Sequence, residues 1–299
     1  MSSTPATPAA NAPTAPAAKP LAKNEGIKAE SNFLRGNILR DLADQSTGSI
    51  TEDSSLLTKF HGIYPQDDRD LRSQRRKENK EKAFSFMARI RVPGGVCTPA
   101  QWVTLDALAN THANGTLKLT TRQAFQFHGV LKGDLWRTIN GVNQALLDTI
   151  AACGDVNRNV MACPAPIRNS KVHDQLQADC HALAMHLAPK TSAYHEIWID
   201  GKSQGAPEEE IEPIYGKVYL PRKFKTGFAL PNDNCIDIFA QDLGLLADVH
   251  NGEILGYDVL VGGGMGRTHG RVDTFAHLGQ RILYCTRDQL LQAAEAIVK

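Results

Sequence analysis

The chain has 299 residues, of which 42% are hydrophobic and 22% charged, the balance of a soluble globular protein with room for two domains. A formal net charge of +1 excludes a nucleic-acid binder built on bulk basic charge, so any anion site has to be local. No apolar run is long enough for a membrane-spanning helix, and the six cysteines are scattered without a C-x-x-C, which points to reduced thiols in a cytoplasmic protein.

Residues 1–24 are mostly Ala, Pro, Thr and Ser and read as a disordered tail, with neither the basic start nor the apolar stretch of a secretory signal. Residues 25–82 read as an extended arm followed by a charged loop, dense in charge over 69–82. From 83 to 153 the pattern sharpens. Residues 84–92 read as a strand ended by Pro93-Gly94-Gly95, and Thr98 before Pro99 signals a helix start. A strand over 116–130 follows, and then a helix over 134–152 with Trp136, Ile139, Val142, Leu146 and Ile150 at helical spacing. This β-α-β-α order suggests half of a ferredoxin-like α+β unit. In the remainder, 154–299, a helix is expected near 170–187 and strands at 194–199, 217–229, 236–239, 244–250 and 256–261. A last helix over 287–299 stops at Lys299 without a cap or tail, which reads as a cut.

The 116–130 stretch carries the first functional signal. Alternation places Leu117, Leu119, Phe125 and Phe127 on one face and Lys118, Thr120, Arg122, Gln126 and His128 on the other. Two cations, a hydroxyl, an amide and an imidazole with almost nothing acidic suit a large ligand with several negative groups; the solvated outer face of an edge strand is the alternative. Further cations sit in pairs beside turns: Arg89 with Arg91, and Lys223 with Lys225 opposite Arg222, while Arg158 lies in a turn-prone, amide-rich loop. Each alone is an ordinary surface charge, but together they are the material of a convergent anion site. The glycine-rich Val261–Arg267 stretch fails as a dinucleotide loop because Arg267 stands where the third glycine is required. The histidines show no zinc-binding spacing, and no metal ligand is assigned.

Several segments together resemble the siroheme-dependent sulfite/nitrite reductase family, in its assimilatory sulfite-reducing branch. They are Lys59-Phe60-His61-Gly62, Gln66-Asp67-Asp68-Arg69-Asp70, Leu119 through Gly129, Asp155-Val156-Asn157-Arg158-Asn159-Val160, Leu220-Pro221-Arg222-Lys223-Phe224-Lys225 and Gly262-Gly263-Gly264. The resemblance implies an α+β chain in which a ferredoxin-like half-module (83–153) precedes a siroheme-reductase-type α/β domain (154–299), truncated at the C-terminus. It implies siroheme, a coupled 4Fe-4S cluster and six-electron reduction of sulfite to sulfide in sulfate assimilation. By motif, Arg89, Arg158, Lys223 and Lys225 are similar to the cations that meet the substrate oxygens. Lys118, Thr120, Arg122, Gln126, His128, Asn157 and Arg222 would face the siroheme carboxylates, with Lys118 standing where many relatives carry arginine. The family's cluster cysteines, in a pattern like C-x5-C with C-x3-C, have no counterpart here, so the chain resembles the N-terminal half and is expected to be inactive alone. The implied electron donor is an NADPH-fed flavoprotein subunit or a ferredoxin.

Three rivals remain at this level. One is siroheme nitrite reduction, and another is a non-catalytic fragment that only folds or assembles. The third is an RNA-binding sheet, disfavoured because Phe125 and Phe127 face away from Lys118 and Arg122, whereas a stacking platform needs both on one side.

Overall fold

The computed structural model describes residues 22–190, 198–199, 202–203 and 211–299. Residues 1–21 of the expected 1–24 tail and strand residues 194–197 lie outside the described residues, while Lys23 and Asn24 already belong to a helix, Lys23–Glu30. Two four-stranded sheets organise the rest.

The first sheet has the order β1-β2-β4-β3 and is antiparallel throughout, built from β1 (Ile63–Asp67), β2 (Phe84–Ile90), β3 (Leu117–Leu119) and β4 (Phe125–Val130). The arm before it folds as α1 (Lys23–Glu30), α2 (Ile38–Ala43) and α3 (Glu52–Leu57), and the charge run holds α4 (Arg72–Lys77). One sheet face is apolar because Phe86, Ala88, Ile90, Phe125, Phe127 and Val130 alternate onto it. They pack against Leu105 and Ala109 of α5 (Pro99–His112) and Leu135 and Val142 of α6 (Leu135–Gln144). Each of the Phe, Ile, Leu and Val side chains contributes roughly 1.5–3 kcal/mol by leaving water. Thr98 starts α5 as expected: its hydroxyl accepts from Gln101 N, and the Gln101 side chain accepts from Thr98 N.

Two expectations here are corrected. The stretch 116–130 is a hairpin, not one strand. Thr120 N donates to Ala124 O at 2.9 Å, and Gln123 takes a left-handed φ of 53° at the tip. Helix α6 ends at Gln144 instead of reaching 152, because Leu146 is left-handed (φ 57°) and the following backbone is engaged elsewhere. Arg91 N donates to Asp148 O at 2.8 Å, and Ala151 N donates to Phe60 O at 2.9 Å.

The second sheet runs β10-β9-β8-β7, from β7 (Thr226–Ala229), β8 (Leu243–His250), β9 (Glu253–Val261) and β10 (Gln280–Thr286); β7 and β8 are parallel and the other pairs antiparallel. Asn251 and Gly252 both have positive φ, the two-residue turn that matches strand twist between β8 and β9. Helices α7 (Lys171–His186) and α8 (Leu290–Val298) cover one face, with Leu176, Cys180, Leu183 and Ala294 against Phe228, Leu245, Tyr257 and Val259. A two-stranded ribbon pairs β5 (Trp198–Ile199) with β6 (Lys202–Ser203). The expected strand over 217–229 shrinks to β7, and 236–239 forms a short 3-10 helix, Ile238–Ala240, instead of a strand. Strand β10 has no counterpart among the expected elements. Among the described residues, no helix is long and apolar enough to cross a membrane.

Candidate functional site

The face of the first sheet opposite α5 and α6 carries the polar side chains. Register puts Lys118 beside Gln126 and Gln126 beside Arg89, so three residues from three strands form one row. The consistent orientation of the Gln126 amide gives its oxygen to Arg89, accepting from Nε at 2.9 Å and Nη2 at 2.5 Å. Its nitrogen then donates to His128 Nε2 at 3.0 Å. That bond requires an unprotonated Nε2. Burial, reinforced by the Lys118 and Arg89 charges, lowers the His128 pKa and favours this neutral ring.

Arg89 is held from the other side as well. Its Nη1 donates to Cys153 Sγ at 2.9 Å, and the guanidinium lies 5.9 Å from the Tyr64 ring centroid. Burial raises the Cys153 thiol pKa, opposed by the Arg89 and Arg158 charges. Burial likewise raises Tyr64, with both arginines acting to lower it. Arg89 and Arg158 therefore converge on the same tyrosine–cysteine pair. Neither Tyr64 nor Cys153 figures among the candidates from sequence. The alternation of β1 would have marked Tyr64, whereas a lone cysteine before Gly154 gives no signal.

Arg158 comes from the loop after Gly154, and its Nε donates to Gly154 O at 2.8 Å. A short parallel bridge pairs Asn157 with Phe224: Phe224 N donates to Val156 O at 3.1 Å and Arg158 N to Phe224 O at 2.8 Å. This fixes Lys223-Phe224-Lys225 alongside Arg158. Burial lowers the Lys223 pKa first, and the Arg158, Arg222 and Lys225 charges lower it further, with only Asp242 opposing. Lys223 thus sits in a positive field that one carboxylate does not neutralise. Lys225 is steered by Asp242, which accepts from its backbone N at 2.8 Å, and Lys225 Nζ reaches Ala240 O at 3.5 Å. Arg89, Arg158, Lys223 and Lys225 form one electrostatic group, with Lys118 and His128 at the Arg89 end and Arg222 at the Lys223 end.

Other sequence-derived candidates are occupied within the protein. Thr120 Oγ1 accepts from Arg122 N and Ala124 N inside the hairpin turn. Arg122 Nη2 donates to Gln241 Oε1 at 2.6 Å, and Nη1 donates to Asn159 O at 3.2 Å and Thr226 O at 3.5 Å. Burial pulls its pKa down to about 10. Asn157 is buried, its Oδ1 accepting from Thr226 Oγ1 at 2.8 Å. Arg91 does not share a surface with Arg89, because it lies past the end of β2 and faces Asp148 at 3.9 Å with the side chain only 10% exposed. A cleft of about 690 Å³ lined by Pro65, Asp68, Arg72 and Asn114 touches this group only at His128.

A surface with this much uncompensated positive charge fits a ring carrying several carboxylates together with a small oxyanion. It does not fit a four-cysteine iron–sulfur cluster. Cys153, Cys163, Cys180 and Cys285 are buried, and among the described residues no four ligands converge.

Two family models match the chain. The Nitrite/Sulfite reductase ferredoxin-like half domain matches residues 77–142, and the Nitrite and sulphite reductase 4Fe-4S domain matches residues 180–299. The sulfite reductase (NADPH) hemoprotein beta-component of Staphylococcus saprophyticus is 53% identical over 93% of this chain and 49% of that protein. Its counterpart in Oceanobacillus iheyensis is 52% identical over 93% of this chain and 48% of that protein. The solved structure of the NirA protein of Mycobacterium tuberculosis superposes with a TM-score of 0.67 over 94% of this chain and 46% of that one, at 23% identity, which supports the fold. The chain spans about half the length of the curated relatives it matches. Its motifs, its two matched domains and its relatives agree: the chain belongs to the nitrite/sulfite reductase family.

Proposed function

We propose that this chain supplies the anion-binding half of a sulfite reductase that uses siroheme and a 4Fe-4S cluster, takes electrons that originate from NADPH through a flavoprotein partner, and works in the cytoplasm. The observation that carries the reading is the convergence of Arg89, Arg158, Lys223 and Lys225 from both halves of the fold onto one surface. The relatives' names favour sulfite over nitrite, and NADPH over ferredoxin as the electron source.

Arg89 is the most constrained of the four. Three of its N–H groups are aimed at Gln126 and Cys153, which leaves two in a fixed fork for substrate oxygens. Arg158 spends one N–H on Gly154 and keeps its terminal nitrogens for the same anion. These groups oppose the charge of sulfite in a preset geometry, so little reorganisation accompanies reaction. Reducing sulfite to sulfide takes up six electrons and releases the three oxygens as water, so protons have to arrive at each oxygen. Lys223, its acidity raised by burial and by three neighbouring cations, is suited to donate them. Lys118 and Arg222 flank the group and fit the carboxylates of siroheme, whose iron would supply the redox chemistry when bound.

An absorption spectrum of the purified chain, with iron and acid-labile sulfide assayed on the same sample, tests the cofactor reading. This chain alone is expected to hold no cluster and to show no sulfite turnover with reduced methyl viologen. Joined to the remainder that its relatives carry, it is expected to show siroheme bands and sulfide production. Turnover by the chain alone would overturn the assignment.

A further inference from the structure

Cys163 and Cys235 are 72 positions apart in sequence, yet the fold brings them onto one carboxylate. The Cys163 thiol donates to Asp233 Oδ2 at 2.8 Å, and Cys235 Sγ approaches the same oxygen at 3.5 Å. One ligand atom from each residue lies within 4.8 Å of the other two. We propose that Cys163, Asp233 and Cys235 form a binding site for a thiophilic divalent cation of the zinc class, separate from the cationic surface and from any iron–sulfur centre.

The chemistry of the donor set points to zinc. Two thiolates and a carboxylate are three of the four ligands of a tetrahedral zinc site, with water as the fourth. Zn–S of about 2.3 Å and Zn–O of about 2.0 Å set S···O at about 3.5 Å, which Cys235 already meets, so only the 2.8 Å Cys163 contact has to open. Asp233 is already oriented for the task. Its Oδ1 accepts from Cys235 N at 2.9 Å, which turns Oδ2 toward the sulfurs. The Ala165 amide is aimed at Cys163 sulfur, a contact that favours the thiolate. The site also has an opening: Cys163 is buried, Asp233 half-buried and Cys235 exposed, so a hydrated ion enters from the Cys235 side.

A divalent cation displaces one proton from each thiol, forms two metal–sulfur bonds and one metal–oxygen bond, and needs no oxidant.

The position gives such an ion a structural effect. Met161 N donates to Thr226 O at 3.1 Å and Phe228 N to Met161 O at 2.8 Å, so the segment bearing Arg158 runs beside β7. Lys223 and Lys225 enter β7 at one end, and the turn with Asp233 and Cys235 follows its other end. An ion at Cys163, Asp233 and Cys235 clamps the two segments at the end remote from the cations.

The test is titration of the reduced, chelator-treated 299-residue chain with Co²⁺ under anaerobic conditions, followed by Zn²⁺ competition. The expected result is one equivalent of Co²⁺ with thiolate charge-transfer and tetrahedral visible bands, release of two protons per ion, and displacement by Zn²⁺. Cys235→Ser, at an exposed position, is expected to weaken binding at least tenfold while the circular dichroism is kept. Cys97→Ser is expected to leave binding unchanged. Absence of the charge-transfer bands, their persistence in Cys235→Ser and Asp233→Asn, or a Cys163–Cys235 disulfide formed in preference to metal uptake would each overturn the proposal.

Discussion

The two sheets bring cations to the same surface by different means. In the first sheet, Lys118, Gln126 and Arg89 stand in a row fixed by strand register, backed by a core that includes Phe86 and Phe127 at 0% exposure. In the second half, Arg158, Lys223 and Lys225 lie in irregular backbone held by one isolated bridge and by Asp242. One half of the surface is therefore set by the sheet itself, the other by the joint between the halves. That joint is polar. Asn159 Nδ2 donates to Val92 O, Arg122 O and Gln123 O at 2.8–3.0 Å, and its Oδ1 accepts from Val92 N at 3.0 Å. Gln123 bonds the Ala162 backbone in both directions, and Arg122 reaches Gln241. The hairpin tip that looks from sequence like ligand-binding surface acts here as the weld.

If the joint sets the second half, its loss should be the most damaging change. Asn159→Ala takes the partner from the buried Val92 N and one partner each from the half-buried Arg122 O and Gln123 O, while Val92 O keeps Gly95 N at 3.0 Å. At about 1–3 kcal/mol for a stranded buried group, a loss of roughly 2 kcal/mol or more is expected in denaturant unfolding. A loss below about 1 kcal/mol would show that the halves do not depend on it.

Next in size are the cations proposed to meet the substrate. In the complete cofactor-loaded enzyme, Arg89→Ala and Lys223→Ala are each expected to lower sulfite turnover on the order of a hundredfold, the usual cost of one preorganised donor. Arg89→Lys should recover little, because an ammonium cannot span Gln126 and Cys153 together. Equal activity for Lys and Arg at this position would remove the role given to the fork.

A smaller effect is expected at Cys153. Cys153→Ser shortens the side chain and draws its acceptor back from Arg89 in a buried site, and we expect about 1 kcal/mol of destabilisation by thermal unfolding together with a several-fold loss of turnover. The weakest effect concerns pH. The folded His128 pKa lies below its ordinary value of 6.5, so the folded state favours the neutral ring. Its contribution to stability is complete above that value and is lost as pH falls through the folded pKa, because the unfolded chain binds the proton first. Stability of His128→Gln measured between pH 7 and pH 5 should fall less steeply than that of the parent chain. An identical slope would contradict the neutral assignment.

Much of the first half was legible because its signals are local. The Thr98-Pro99 start and the alternation of residues 84–90 and 125–130 need no tertiary information. The end of α6 was not legible, because apolar spacing continues through Leu146 and Ile150 while long-range backbone bonds from Arg91 and Phe60 take over that segment. Strand β10 escaped because its first five residues are exposed, so it carries no buried alternation to read. At the site, the family motifs gave the cations. They could not separate Arg158, whose Nε is held by Gly154 O, from Arg122, whose terminal nitrogens are spent on Asn159, Thr226 and Gln241. The convergence of Cys163 with Cys235 was invisible for the same reason: spacing in sequence says nothing about two loops that meet at the end of β7.

The decisive question is whether cations from both halves act as one polyanion-binding surface. Titration of the chain with uroporphyrin, a tetrapyrrole bearing only carboxylate side groups, followed by porphyrin fluorescence, addresses it. We expect one-to-one, salt-weakened binding that Arg89→Ala and Lys223→Ala each reduce at least tenfold, while Lys171→Ala, whose side chain pairs with Glu253 elsewhere, leaves it unchanged. Binding that is indifferent to either Arg89 or Lys223 would mean that the two halves do not share a ligand.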